Sequence, residues 1–296
     1  MSGKTVNSAI LLLVIGNALA LISDAIIKLQ GADVPVFQFV FIRTLCTLVL
    51  LLPLSAMIDR GNLFAGGRVH LLRAHISLAG ISCMVVALNT LPLATANALF
   101  YAAPILVMVI AVLVFRENLT PLSLLAVVSG FAGIILILRP VALNWASLSA
   151  IGVAFSLAIN IVLIRKLPGR QSMVHTLVLT HLYMLPAAFL LTLWEGKAFE
   201  WSVVIHAFGS AFFILCYNVT VLMAYRWVAA NQVTSAEYTG LLWAIIGGWV
   251  FFGEVPDMWF IIGSTMIVAP LILIGLAERK RKRVLRQEPA SVAVAE

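Results

Sequence analysis

Ten apolar stretches, each long enough to cross about 30 Å of hydrocarbon, leave this chain few ways to fold. They lie near residues 8–29, 35–58, 70–91, 93–115, 119–138, 145–166, 172–194, 203–225, 230–252 and 256–276. In lipid every backbone N–H and C=O must bond within the protein, so only helices and closed barrels span, and stretches of this length specify helices. Composition agrees: 62% of the 296 residues are apolar and 10% are charged, against about 25% charged in a soluble domain. The expected fold class is therefore an all-α membrane protein of ten transmembrane helices. Pro35, Pro92, Pro121, Pro140, Pro168 and Pro256 fall at or near the expected ends, where a missing N–H costs least. Most connections are short, so successive helices are antiparallel neighbours.

Other classes fit poorly. Asn17, Asp24 and Lys28 interrupt the first apolar stretch, which reads as a retained helix rather than a cleaved signal. Cys46, Cys83 and Cys216 all sit inside spans without ligand spacing, so neither a disulfide framework nor a metal site is expected, nor any cofactor. No HExxH, GxSxG or P-loop pattern occurs, which disfavours a membrane enzyme or an ATP-driven pump.

The spans form two sets. Residues 89–119 and 226–256 share a plan 137 positions apart, with Tyr101 falling on Tyr238, Phe115 on Phe252 and Glu117 on Glu254. Five spans per copy is an odd number, so the copies enter the membrane from opposite faces as inverted repeats, a common plan in secondary transporters. The expected units are residues 1–140, residues 141–278 and a basic, disordered cytoplasmic tail over 279–296. With the N-terminus inside, fifteen lysines and arginines, Arg73 among them, fall on the cytoplasmic side against three outside, which places both termini in the cytoplasm. The tail run Arg279–Arg283 suits anionic lipid better than nucleic acid, and no nucleic-acid partner is expected.

Phe39-Val-Phe-Ile-Arg43, Leu91-Pro-Leu-Ala-Thr-Ala-Asn97 with Pro104 and Glu117, Glu237-Tyr-Thr-Gly240, and Gly253-Glu-Val-Pro256, together with the five-plus-five plan, resemble the ten-helix EamA-type transporters of the drug/metabolite transporter superfamily. The resemblance covers residues 8–276. It implies a carrier in the cytoplasmic (inner) membrane with its substrate held between the halves. Amino acids and their derivatives, S-adenosylmethionine, sugars and riboflavin are among the family's substrates. Glu237 through Trp243 is most similar to bacterial riboflavin-uptake members, which makes riboflavin uptake the leading expectation and export of amino acids or related metabolites, or carriage of S-adenosylmethionine, the alternative.

Polar residues inside the spans mark candidate sites, because lipid cannot satisfy them. Asp24 and Lys28 stand one turn apart, either as an i, i+4 ion pair near the outer interface or with Asp24 free for a proton or a cationic substrate group. Arg43 is placed to bind an anionic group, or to pair with Asp24 or helix-end carbonyls. Glu237 leads among the acids, flanked by Gln232, Tyr238 and Trp243, with the rings offering aromatic faces to a substrate. Asn97, Tyr101 and Pro104 share one helix face, with Thr234, Tyr238 and Leu241 as counterparts across the pseudo-twofold. Pro104 is expected either to loosen its helix locally or to make a packing kink with no part in transport. Asn17, Asn160, Tyr217 and Asn218 are further lining candidates, each also suited to an interhelical hydrogen bond. His175, His181 and Tyr183 are weaker ones, and the seventh span lacks an equivalent of Arg43. Gly130, Gly133, Gly240, Gly247 and Gly248 read as packing surfaces, and Glu117 and Glu254 as structural groups that pair with bases or cap the following helix. The expected site lies between the first, fourth, sixth, eighth and ninth helices.

Overall fold

The computed structural model describes residues 5–58, 60–116, 120–138, 144–168, 171–228 and 234–292. Its helices are α1 (Val6–Lys28), α2 (Val36–Leu51), α3 (Gly67–Thr90), α4 (Leu93–Phe100), α5 (Ala103–Phe115), α6 (Pro121–Leu138), α7 (Trp145–Ile164), α8 (Met173–Glu195), α9 (Trp201–Trp227), α10 (Thr239–Phe252) and α11 (Met258–Val292). Among the described residues nine stretches are long and apolar enough to cross a membrane, with 236–252 as a shorter tenth, and none is a strand. Short polar side chains start several of them: Thr5 caps α1 through Ser8, Asn144 caps α7 and Ser172 caps α8, each satisfying an N–H that has no partner within the helix.

The shift of 137 residues runs through the whole fold. Val36 and Met173 open α2 and α8, Pro121 and Met258 open α6 and α11, and Phe115 and Phe252 close α5 and α10. Packing obeys the same exchange: α1 lies on α9 as α7 lies on α3, α2 lies on α9 as α8 lies on α3, and α5 lies on α7 as α10 lies on α1, while α2 with α8 and α6 with α11 are self-paired. The halves are inverted, since α1 ends beside Leu91 at the end of α3, whereas the turn after α7 reaches Gly66 at its start. The same register makes Arg165 the counterpart of Lys28.

Close approach is built from small residues. Gly80 of α3 sits so near Ser156 of α7, and Gly16 of α1 so near Thr220 of α9, that a Cβ on either would collide. Gly133 of α6 and Gly263 of α11 face each other's backbone carbonyls, and Gly130, Gly240, Gly247 and Gly248 each abut Ile105, Tyr101, Leu21 and Glu254 in turn. One end of the bundle, where α1 begins, exposes Arg68, Arg116, Arg165, Lys166 and Arg226; we call it the basic end. Trp145, Trp194, Trp201 and Trp259 are exposed at the other, aromatic end, as suits a membrane interface.

Two spans are broken at equivalent points. The fourth turns at Tyr101 and Ala102 between α4 and α5, so Pro104 opens a new helix, where its absent N–H is harmless, rather than loosening an unbroken one. The ninth was expected as one helix from residue 230, but Glu237 lies in a 3₁₀ turn, Thr234–Tyr238, ahead of α10. Both broken spans also end on a left-handed residue, Arg116 (φ 55°) and Gly253 (φ 65°). Helical backbone continues in α11 to Val292, within the segment for which the sequence suggested disorder; its lysines, arginines and leucines are good helix formers.

Candidate substrate cavity

A cavity of about 670 Å³ lies along the seam between the repeats, within the usual range for small-molecule sites. It is wider in origin than expected. The first, fourth, sixth, eighth and ninth spans all contribute, but so do the second through Arg43 and Thr47, the third through Arg73 and Ser77, and the seventh through Thr180 and His181. Among the described residues only the α6 and α11 spans stand aside, packed on each other.

The first-half charges are rearranged relative to the i, i+4 pairing considered for Asp24 and Lys28. Lys28 turns away to Glu254 at 3.0 Å, with Nζ also donating to the carbonyls of Leu91 (2.6 Å) and Leu88 (3.3 Å) and lying 5.3 Å from the Phe252 ring centre. Glu254 also accepts from the Leu93 N–H at 2.6 Å, so it caps α4 of the opposite repeat rather than the helix that follows it. Its repeat mate Glu117 lies outside the described residues. Asp24 is left lining the cavity, 9% exposed, facing Asn97 and Arg43. Arg43 Nε donates to Ser210 Oγ at 3.0 Å, and Ser210 Oγ meets Ser23 Oγ at 2.8 Å. Opposite charges thus share a buried site fixed by hydroxyls from α1 and α9, which compensates part of the desolvation of both.

Glu237 lines the second-half wall. Tyr225 Oη donates to its Oε1 at 3.0 Å, and Tyr217 bonds to the same carboxyl group. The 3₁₀ turn that carries it is held by the other repeat: Asn17 Nδ2 donates to the carbonyls of Ala236 and Glu237, both at 3.0 Å, and Tyr101 Oη donates to the Glu237 carbonyl at 2.9 Å. These donors satisfy carbonyls that an unbroken helix would have paired internally. Tyr101 and Tyr238, mates in the repeat, meet with ring centres 6.1 Å apart.

Of the other candidates, Asn97, Tyr101, Asn160, Tyr217 and Asn218 line the cavity. Asn97, Asn160 and Asn218 each donate to the carbonyl four residues back, which leaves their amide oxygens available; that of Asn160 is buried and unpaired. Tyr238 and Trp243 do not line it. Trp243 bonds to the Val14 carbonyl at 3.0 Å instead, because the break at Tyr238 turns α10 onto α1. Gln232 lies outside the described residues.

Arg73 was missed. Counted from sequence as a cytoplasmic charge, it is 9% exposed and lines the cavity, because it falls in the second turn of α3 on the side facing the seam. Its position three residues inside an apolar span was the available signal. His181 lines the cavity too, its Nδ1 bonded to the Leu177 carbonyl at 2.8 Å; a carbonyl only accepts, so that nitrogen carries the proton. His175 is buried at the basic end, where Gln171 bridges it to His70.

Two inverted five-span repeats around a charged, membrane-buried cavity define a multi-pass membrane transporter rather than an enzyme. The sequence pattern of the EamA-like transporter family is matched twice, over residues 7–139 and 144–276, and the chain belongs to that family, within the drug/metabolite transporter superfamily. It is 26% identical to an S-adenosylmethionine uptake transporter of Rickettsia prowazekii over 88% of this chain and 89% of that protein. A riboflavin transporter of Vibrio cholerae is 28% identical over 72% and 73% of the two chains, and a pseudopaline exporter of Pseudomonas aeruginosa is 23% identical over 92% and 97%. A crystal structure of a protein 16% identical in sequence shares the fold, with a TM-score of 0.60 over 93% of this chain and 98% of its own.

Proposed function

We propose that the chain is a secondary transporter of the cytoplasmic membrane that carries a small amino-acid-bearing metabolite by alternating access, with S-adenosylmethionine as the leading candidate. The observation that carries this reading is the presence of both signs of charge, Asp24 and Glu237 with Arg43 and Arg73, in one buried cavity at the repeat seam. Such groups are costly inside a membrane and mark a substrate or ion path. A zwitterionic or sulfonium-bearing ligand uses both signs, whereas a neutral flavin uses neither. The Rickettsia uptake transporter, similar over most of the chain, points the same way. Exposed Arg68, Arg116, Arg165, Lys166 and Arg226 at the basic end support termini in the cytoplasm. With inverted halves, the gradient sets direction.

Riboflavin uptake is the second reading. It is favoured by the aromatic cavity walls of Phe100, Tyr101 and Tyr217 and by the likeness to the Vibrio protein. The test is flux into liposomes containing the purified protein, with labelled S-adenosylmethionine, an amino-acid panel and riboflavin, with and without a pH gradient. Saturable S-adenosylmethionine or amino-acid flux that a Glu237→Gln variant reduces is the expected result. Flux of riboflavin alone transfers the conclusion to the second reading, and no flux of any of these compounds removes both.

A further inference from the structure

The cavity holds two arginines in opposite circumstances. Arg43 has a carboxylate, Asp24, and a hydroxyl, Ser210. Arg73 has neither among the described residues: its Nε and Nη1 are buried without an acceptor, no described carboxylate pairs with it, and its neighbour His70 offers no anion. Helix α3 is held against α7 and α8 by other contacts, including the Ser156 hydroxyl on the Ile76 carbonyl at 2.8 Å and the close fit at Gly80. The guanidinium is therefore not needed to hold the bundle together. A lone buried cation weakens a membrane fold unless something reaches it, and the face of Arg73 that remains open is the one lining the cavity.

We propose that Arg73 is the anion subsite of the cavity and receives the substrate's carboxylate. This deepens the amino-acid reading above and rests on it. A planar guanidinium matches a carboxylate edge to edge through paired N–H donors. Local placement also favours an anion at Arg73: Asp24 faces Arg43, and the Glu237 carboxyl group is held by the hydroxyls of Tyr217 and Tyr225 on α9, so neither acid pairs with Arg73. Because α3 begins at the basic end, the subsite lies toward that end. A ligand bound there orients its carboxylate toward the basic end and its remaining polar groups toward Asp24 and Glu237.

The experiment compares S-adenosylmethionine with its decarboxylated analogue, identical except for the carboxylate, as competing ligands of the full-length protein in liposomes, for wild type, Arg73→Gln and Arg73→Lys. Wild type is expected to favour the carboxylated compound by roughly ten- to a hundredfold, the worth of one charge-assisted contact. Arg73→Gln should lose that preference by weakening the carboxylated ligand alone, with no fall in thermal unfolding temperature, and Arg73→Lys should retain part of it. A wild type that binds S-adenosylmethionine but keeps its preference in Arg73→Gln overturns the subsite and leaves the amino-acid reading standing. Equal binding of both compounds by wild type does the same. Riboflavin flux without binding of either compound overturns both.

Discussion

Arg43 of α2 meets Ser210 of α9 across the seam; carried through the repeat, these positions become Thr180 of α8 and Arg73 of α3. All but the buried Ser210 line the cavity. The pseudo-twofold thus exchanges an arginine and a hydroxyl residue between helices, and it leaves one arginine anchored and the other without a partner. The same comparison at Asp24 gives Ile161, and at Asn218 it gives Ile81. Backbone register is kept from end to end while the cavity chemistry is not. Under the proposed mechanism this is a division of labour: symmetric helices suit halves that trade conformations, and unlike side chains suit a ligand held in one orientation.

That comparison can be broken in four ways. The largest effect is expected from Arg43→Met, which takes away the positive charge facing buried Asp24 and the bond to Ser210. Removing a charge that compensates a buried acid costs up to about 3–5 kcal/mol, read as a lowered unfolding temperature in detergent, whereas Arg73→Met should leave that temperature unchanged or higher. Next, Gly80→Ala drives a Cβ into Ser156 and should cost about 1–3 kcal/mol by overpacking. Gly16→Ala, at the equivalent crossing of α1 with α9, should do the same if the interfaces are true mates. Third, Tyr101→Phe removes the bond to the Glu237 carbonyl and should lower stability by about 1 kcal/mol. Tyr238→Phe should be close to neutral, because the structure gives its hydroxyl no hydrogen bond. The smallest effect is Arg116→Gly: relief of a left-handed side chain should stabilise by at most about 1 kcal/mol, and Gly253→Ala should destabilise by a similar amount.

Sequence carried the architecture further than the site. Ten spans and the 137-residue shift were legible because lipid imposes length and internal hydrogen bonding on every span, and those demands are written in composition. Asn17, Asp24, Arg43 and Glu237 were legible as polar exceptions to it. What stayed hidden was direction. Lys28 and Asp24, one turn apart, looked like partners, yet Lys28 is claimed by Glu254 far along the chain, and Asp24 faces Asn97 and Arg43, the second of which the sequence had offered as an alternative. Trp243 looked like a ligand contact because a continuous ninth helix would have aimed it inward, and the break at Tyr238 was not written as a proline or glycine. Arg73 was hidden by a counting rule that treats every basic residue near a span's end as part of a loop.

Lys28 and its companions tie α1, the corner between α3 and α4, and the end of α10 into one knot at the aromatic end, and the ion pair in it joins the two repeats. Its mate position, Arg165, is exposed at the basic end. On the alternating-access reading proposed above, whatever free energy the knot holds is a constant bias between the carrier's two resting forms, tenfold in population for about each 1.4 kcal/mol. A bias of that kind cannot change the gradient at which net flux stops, since it cancels around a complete cycle. It decides instead on which side of the membrane an empty site waits, so that a carrier with no preferred direction at equilibrium still meets solutes faster from one compartment than from the other.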